Sequence, residues 1–279
     1  MSNMTVLTEG LKIGLHPVGP ELEYWGRNFT DFLEECVVRG YKYPQPLAHK
    51  MDDTQIPKYD WPGLESAVSG FASKKLEPGK FLLKYGQTRF LQPLLEKGIV
   101  RIAPAAMYDD PSLSPAVRDT ELEISIAALP SEVKLVAYDG KTGQLKGPVH
   151  PKGNITMTAK ARSNYYVLCL AAAFSLRMFG DFNADSCLLI KDPVRFVETV
   201  QRAFDEKLPG WDSLGWGVSY IDPFQAKSAR PDVHFSKHFR YAYQKEYRIV
   251  WLPPTKQTSL DPIFLELGNL EEYCELIRL

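Results

Sequence analysis

Residues 241–251 decide the fold, because the two faces of this stretch differ in chemical character. The stretch reads Tyr241-Ala242-Tyr243-Gln244-Lys245-Glu246-Tyr247-Arg248-Ile249-Val250-Trp251. Successive side chains of a β-strand point to opposite faces, and the odd-numbered residues here are nearly all aromatic or β-branched. The alternation predicts a single strand over 241–251 with one face in the core. Gln244, Glu246 and Arg248 lie on the other face, which either meets solvent or lines a cleft.

The segments on both sides of this stretch also favour strands. Alternating or short apolar runs predict strands at 81–85, 99–103, 122–126, 133–137, 144–149, 154–161, 165–171, 186–190, 216–221 and 263–267. The run 165–171 is almost wholly apolar, which predicts a central strand. Helices are predicted at 89–97, ending at Gly98, then after Asp192-Pro193, and at the C-terminus. Helices do not alternate with strands in a βαβ rhythm, so the pattern predicts an α+β fold with a largely antiparallel sheet.

The chain before residue 80 has a different character. Apolar residues between Leu22 and Val37 recur every three or four positions, which predicts an amphipathic helix. Prolines between Pro44 and Pro62 interrupt regular structure. We therefore predict that residues 1–79 form a helical and proline-rich extension and that residues 80–279 form an α+β domain of catalytic type.

Composition excludes several classes of protein. Of the 279 residues, 44% are hydrophobic and 24% charged, which is ordinary for a soluble globular chain, and the net charge of -1 gives no basic excess for coating nucleic acid. The four cysteines show no CxxC or zinc spacing, so we predict reduced thiols and no metal site. No signal peptide and no apolar run of about 20 residues is visible, which predicts a cytoplasmic protein without a membrane partner.

Gln244 and Glu246 are two residues apart, so a strand would direct both side chains into the same space. A carboxylate on a rigid strand beside an amide suits cleavage of an N-glycosidic bond, because a fixed negative charge stabilises the oxocarbenium-like transition state. The alternative is a surface strand on which Glu246 and Arg248 pair with neighbouring side chains, each pair contributing about 0.2–1 kcal/mol. The spacing leaves both interpretations open.

Five blocks between residues 80 and 252 carry a family resemblance. They are Phe81-Leu82-Leu83-Lys84-Tyr85-Gly86; Gly98-Ile99-Val100-Arg101-Ile102-Ala103-Pro104; Tyr108-Asp109-Asp110; Val167-Leu168-Cys169-Leu170-Ala171 with Phe174-Ser175; and Lys237-His238 followed by Gln244-Lys245-Glu246-Tyr247-Arg248-Ile249-Val250. Together they resemble a family of uncharacterised bacterial proteins related to abortive-infection factors. The last block is the most specific.

The order of these blocks also resembles the ADP-ribosyltransferase fold, with its split sheet, a central strand followed by serine, and a late strand that bears glutamate. The resemblance implies that Glu246 is the catalytic carboxylate at the nicotinamide ribose and that Gln244 orients the acceptor. It also implies that Tyr108 stacks on nicotinamide and that Ser175 supports the site. Where that superfamily places His or Arg on its first strand, the cofactor-binding candidates of this chain are Lys84, Tyr85 and, beyond the strand, Arg89.

The activity implied by the resemblance is that of an enzyme that takes NAD as its nucleotide substrate. Such an enzyme transfers ADP-ribose to a macromolecular acceptor, as toxins and phage-defence effectors do. A second hypothesis is a Mg²⁺-dependent nuclease, because Asp109, Asp119 and Glu121 supply the hard oxygen ligands that Mg²⁺ prefers. A third is a non-catalytic module that senses a ligand.

Overall fold

A computed structural model describes residues 69–279, except for residues 72, 75, 78, 115, 129–133, 154, 176 and 222–230. The chain divides into two units between Trp61 and Pro62, and every described residue belongs to the second unit. Nearly all of the predicted extension over 1–79, including the helix predicted after Leu22, lies outside the described residues. Its boundary at residue 79 therefore stays a prediction.

Strands make up most of the regular structure. They are β1 Leu82–Gly86, β2 Ile99–Pro104, β3 Glu123–Ala128, β4 Leu135–Tyr138, β5 Leu145–Val149, β6 Ile155–Lys160, β7 Tyr166–Ala171, β8 Ser186–Ile190, β9 Asp212–Gly217, β10 Ser219–Ile221, β11 Ser236–His238, β12 Glu246–Leu252, β13 Ile263–Glu266 and β14 Cys274–Arg278. The helices are α1 Thr88–Lys97, α2 Arg177–Asp181 and α3 Pro193–Lys207, with 3₁₀ helices at Ala105–Asp109 and Phe239–Gln244.

The predicted central strand, β7, lies at the centre of an eight-stranded antiparallel sheet. One edge of β7 pairs with β12 along its whole length, from Tyr166 opposite Trp251 to Ala171 opposite Glu246. The other edge pairs with β2 at Tyr166 and Val167 but with β1 at Ala171. β1 and β2 therefore part from each other beside the middle of β7, and we call this opening the β1–β2 gap. The α+β class and the largely antiparallel sheet are confirmed.

Helices α1 and α3 cover one face of this sheet. Their apolar side chains join Leu168 of β7 and Trp251 of β12 in the largest hydrophobic cluster of the described residues. As predicted, α1 ends at Gly98, which has a left-handed φ of 69°, and Asp192 caps α3 by accepting a hydrogen bond from the Arg195 backbone N–H at 3.0 Å. These helices leave the opposite sheet face available for polar side chains.

That opposite face carries the polar residues of β12. Paired residues of antiparallel strands project to the same side of a sheet. Glu246 lies opposite Ala171, Arg248 opposite Cys169, and both project away from α1 and α3. The face that could have met solvent is instead buried: Glu246 is 6% exposed and Arg248 0%.

The prediction of one strand over 241–251 is wrong in its first half. Residues Phe239–Gln244 form a 3₁₀ helix, whose first turn is capped by the His238 side chain accepting from the Arg240 backbone N–H at 3.1 Å. Lys245 then adopts a left-handed conformation with φ 43°, and the strand begins only at Glu246. Alternating aromatic residues are compatible with both conformations, so the local pattern could not locate this turn.

Two further element predictions are corrected. The predicted C-terminal helix is a strand, β14, which pairs with the edge of β8 from Cys274 opposite Ile190 to Arg278 opposite Ser186. The predicted strand 216–221 is divided: β9 pairs with β12, whereas β10 pairs in parallel with β11. In both cases pairing or packing with distant segments determines the conformation.

Candidate functional site

A cavity of about 220 Å³ lies on the sheet face opposite α1 and α3, and we call it the Glu246 cavity. Strand β1, the end of β7 and the start of β12 contribute to its wall. The segment around Ala116 and helix α2 close its other sides. Its polar lining consists of Lys84, Tyr85, Tyr108, Glu121, Lys237, Gln244 and Glu246.

The structure brings most of the predicted site residues together. Those that line the cavity are Lys84, Tyr85, Tyr108, Gln244 and Glu246. Ser175 does not line the cavity but contacts a residue that does, because its backbone N–H donates to the Tyr85 hydroxyl at 2.9 Å. Arg89 does not reach the cavity: it is exposed on α1, where its guanidinium lies 4.7 Å from the Phe90 ring centroid. Placement does not assign roles, and the roles of all these residues stay predictions.

Glu246 belongs to a buried ionic cluster, which we define as Glu121, Lys237, Gln244, Glu246 and Arg248. Arg248 Nε donates to Glu246 Oε1 at 2.5 Å, and Lys237 Nζ donates to Glu246 Oε2 at 3.1 Å. The two Nη atoms of Arg248 lie 2.6 and 2.8 Å from the Glu121 carboxylate. Buried charges persist only when paired and hydrogen-bonded, and this cluster meets that requirement through groups from three separate segments.

The electrostatics of the cluster favour an ionised Glu246. Burial opposes ionisation and is the largest single influence, but Arg248 and Lys237 together outweigh it and lower the pKa of Glu246 below its ordinary value. Burial acts to lower the pKa of Lys237, yet Glu246 and Glu121 raise it above the ordinary lysine value. Near neutral pH the cavity therefore contains a fixed carboxylate held by two cations.

Both ends of the Gln244 amide are engaged inside the protein. Its Oε1 accepts from Lys237 Nζ at 3.2 Å, and its Nε2 donates to the Ala116 carbonyl at 2.8 Å. Only 3% of the residue is exposed. In this arrangement Gln244 connects Lys237 with the segment around Ala116, and its predicted role in orienting an acceptor stays a prediction.

Cys169 lies at the floor of the cavity, opposite Arg248 in the sheet. Burial, followed by the negative charge of Glu246, raises the pKa of its thiol well above the ordinary value. Cys169 and the buried Cys187 are both free thiols. A protonated thiol is a poor nucleophile, because the thiolate is the reactive form.

The acidic residues considered for Mg²⁺ are separated or occupied by cations. Asp109 is exposed, with Arg118 3.9 Å away. Asp119 lies 3.8 Å from Lys237 Nζ, and Glu121 is engaged by Arg248. Within the part of the chain that the structure describes, no three His, Cys, Asp or Glu side chains are grouped as metal ligands. The donor set therefore does not favour the nuclease hypothesis.

Sequence reasoning missed the contribution of Lys237. The residue lies on the three-residue strand β11, and although it opens the last of the five blocks, the sequence assigned it no role in the site. Its ammonium group, 5% exposed, contacts both predicted catalytic residues and lies 3.8 Å from Glu121 and from Asp119. Arg248 had one usable signal, since it follows Glu246 by two residues on the same strand face. The position of Lys237 in the chain gives no indication that it contacts Glu246.

A second cavity, also of about 220 Å³, lies on the other side of the cluster. Glu121 and Lys237 line both cavities and so separate them. The second cavity is more polar at its rim, where Asp119, Glu123 and Arg240 contribute charges. A group bound in either cavity would therefore be close to Glu121 and Lys237, which also line the other cavity.

Comparison of the chain with protein-family models, with characterised proteins and with solved structures finds no match. Among the described residues, no helix has the length and apolar character needed to cross a lipid bilayer.

Proposed function

We propose that the protein is an enzyme of ADP-ribosyltransferase type that uses NAD. It breaks the bond between nicotinamide and C1′ of the ribose and forms a new bond from C1′ to an acceptor atom, which loses its proton. The observation that carries the proposal is the position of a buried, ionised Glu246 at a cavity that Lys84 and Tyr108 also line. The sequence resemblance supports the same roles for these residues.

The chemistry needs a negative charge close to the ribose. As nicotinamide leaves, positive charge develops on C1′ and the ring oxygen. A carboxylate that is already fixed in place stabilises this charge without reorganisation, and exclusion of water strengthens the interaction. Arg248 and Lys237 hold the Glu246 carboxylate in one orientation through contacts of 2.5 and 3.1 Å.

The dimensions of the cavity restrict which part of NAD enters it. A cavity of about 220 Å³ is smaller than the roughly 300–1,000 Å³ of pockets that enclose a complete drug-sized ligand. In this proposal the nicotinamide ring and its ribose enter, with Tyr108 beside the ring, and the rest of the dinucleotide lies across the rim. The acceptor is a macromolecule, and the resemblance to abortive-infection factors favours a toxin or phage-defence role.

The proposal is tested with NAD labelled in the adenylate moiety and, separately, in nicotinamide. We expect release of labelled nicotinamide and transfer of the adenylate label to protein or nucleic acid in a cell extract. Release without transfer would indicate that water is the acceptor. No release of nicotinamide with any extract would contradict the proposal.

A ligand-sensing module without catalysis is the second candidate, because every charge of the ionic cluster is satisfied internally. Such a cluster can hold a binding site in shape without taking part in chemistry. A ligand that binds only the folded state raises the apparent stability. Under this alternative, NAD or another nucleotide raises the melting temperature but is recovered intact after prolonged incubation, whereas the enzyme consumes it.

A further inference from the structure

The peptide group that joins Lys245 to Glu246 is hydrogen-bonded at both of its polar atoms. The Lys245 carbonyl accepts from the backbone N–H of Ala172, just after β7, at 2.7 Å. The Glu246 N–H donates to the hydroxyl of Tyr220 on β10, also at 2.7 Å. Because the C=O and N–H of a trans peptide point in opposite directions, these two bonds hold the peptide plane from both sides.

The end of strand β9 explains why a side chain takes part. Strand β9 ends at Gly217, opposite Tyr247, and so stops one residue short of Glu246. A hydrogen-bonded pair of residues in an antiparallel ladder exchanges two backbone bonds. Val218 supplies one of them, because its N–H donates to the Glu246 carbonyl at 2.9 Å. The hydroxyl of Tyr220 takes the place of the second, as the acceptor for the Glu246 N–H.

The short pair of strands β10 and β11 presents two groups to Glu246. Tyr220 lies directly opposite Lys237 in this pair. The Tyr220 hydroxyl contacts the backbone of Glu246, and the Lys237 ammonium group contacts its carboxylate at 3.1 Å. Tyr220 itself does not line the Glu246 cavity. Any influence of Tyr220 on a group bound in the cavity therefore passes through Glu246.

The conformation of Lys245 makes this peptide dependent on its contacts. Lys245 has φ 43° and ψ 51°, a left-handed conformation that is uncommon for a residue other than glycine, asparagine or aspartate. Such a conformation persists where the surrounding structure maintains it. A rotation of the peptide that relieved the strain would change the backbone angles before Glu246 and displace its carboxylate from Arg248 and Lys237.

We propose that Tyr220 is a positioning residue for Glu246, because its hydroxyl fixes the Lys245–Glu246 peptide and through it the direction of the carboxylate. The consequence for turnover rests on the proposed function, since a displaced carboxylate stabilises the charge that develops on the ribose less well. A misplacement of about 1 Å can cost about a hundredfold in rate. Loss of one contact among several should cost less, on the order of tenfold.

The kinetic test compares Tyr220→Phe with Tyr166→Phe. The control also removes a hydroxyl that bonds to the backbone, at 2.8 Å from the Asp261 carbonyl, but at the end of β7 away from the cavity. Each variant leaves one backbone group without its hydroxyl partner, so both should melt somewhat below the wild type. We expect the kcat for nicotinamide release to fall on the order of tenfold in Tyr220→Phe, with KM within about twofold of the wild type, and to stay unchanged in Tyr166→Phe. Equal kcat values in the two variants would overturn the proposal.

A second substitution distinguishes positioning from general support of the fold. Lys245 is exposed, and asparagine adopts the left-handed conformation more readily than lysine. Lys245→Asn added to Tyr220→Phe should therefore restore part of the lost kcat, because the peptide then needs less support. Absence of any recovery would contradict the role assigned to this peptide.

Amide hydrogen exchange followed by NMR measures the same bond without turnover. The Glu246 N–H should exchange at least about tenfold faster in Tyr220→Phe than in the wild type, while the other amides of β12 keep their rates. An unchanged rate for Glu246 would overturn the proposal. Faster exchange in this variant, together with no release of nicotinamide by the wild type, would support the positioning role of Tyr220 and contradict the proposed function alone.

Discussion

Arg248 is the charged hydrogen-bond partner of both carboxylates of the site. Its side chain is fully buried and donates to Glu246 through Nε and to Glu121 through Nη2. Its Nη1 donates to the His234 carbonyl at 3.0 Å and lies 2.6 Å from the other Glu121 carboxylate oxygen. The net gain from a buried ion pair over an apolar pair is small, but removal of one partner leaves a charge without compensation. The stability of the domain should therefore respond strongly to the loss of this one guanidinium.

We predict that Arg248→Met lowers the free energy of unfolding by about 3–5 kcal/mol. Urea denaturation followed by circular dichroism measures the change. Adding Glu121→Gln should recover part of the loss, because it removes one of the two stranded carboxylates. Arg195→Met is the control: Arg195 is half exposed and pairs with Glu272 on the surface, so little change is expected. Similar losses for both arginines would contradict the account.

The pH dependence of stability should reveal the charge on Glu246. Its folded-state pKa is lowered by Arg248 and Lys237 against the opposing effect of burial. A lowered pKa adds stability above the unfolded value of about 4.3, and this stability disappears as the pH falls through the folded value. The difference in unfolding free energy between the wild type and Glu246→Gln should be constant above about pH 6 and shrink on acidification. A difference that grows on acidification would contradict the lowered pKa of Glu246.

At the residue scale the sequence identified part of the site. The spacing of Gln244 and Glu246 predicted that both side chains would lie in the same space. Both do line the Glu246 cavity, although Gln244 lies before the strand and not within it. Lys237 opens the last of the five blocks, but its contacts with Gln244 and Glu246 could not be predicted, since they join β11 to a different segment only in the folded protein. Its role depends on tertiary distance, which local patterns do not encode.

At the scale of secondary-structure elements, the junction of α1 with β13 is held by Gly98. The residue ends α1 with a left-handed φ of 69°, a conformation that favours glycine. A Cβ at this position would lie 2.3 Å from the Gly268 carbonyl oxygen and 2.7 Å from the Leu267 nitrogen. The close approach lets the Leu267 N–H donate to the Gly98 carbonyl at 3.0 Å.

We therefore predict that Gly98→Ala lowers the free energy of unfolding by at least about 2 kcal/mol, from backbone strain and steric clash together. Thermal and urea denaturation measure the loss. Gly140→Ala is the matched control, because no heavy atom lies within 4 Å of a Cβ placed there. If the two variants are equally stable, the close contact with Gly268 does not exist in solution.

Most elements were predictable because their signals are local. Gly98 ends α1, and Asp192 with Pro193 begins α3, since both signals act within one helical turn. The C-terminal segment was misassigned because Leu270, Tyr273, Cys274 and Ile277 are three or four residues apart and all buried. Such spacing is typical of a helix, but pairing with the edge of β8 favours a strand.

At the scale of the whole molecule, the β1–β2 gap connects the fold with the proposed function. The absence of a βαβ rhythm was sufficient to predict an α+β domain with an antiparallel sheet. The sequence did not predict that β1 and β2 pair with different parts of the same edge of β7. The residues of β1 and β2 do not determine by themselves which residues of β7 they pair with. Lys84, which lines the Glu246 cavity, and Arg101 come from the two strands that flank this gap.

The most direct test of Glu246 as the catalytic carboxylate is the rate of nicotinamide release from saturating NAD. The rate is measured for Glu246→Gln and compared with that for Glu123→Gln. Glu123, on β3, follows Glu121 by two residues but does not line the Glu246 cavity, and it pairs with Lys160 at the surface at 2.7 Å. With both variants shown to be folded by thermal unfolding, we predict a loss on the order of a hundredfold or more for Glu246→Gln and a wild-type rate for Glu123→Gln. Equal rates in the two variants would contradict the assignment of Glu246 as the catalytic carboxylate.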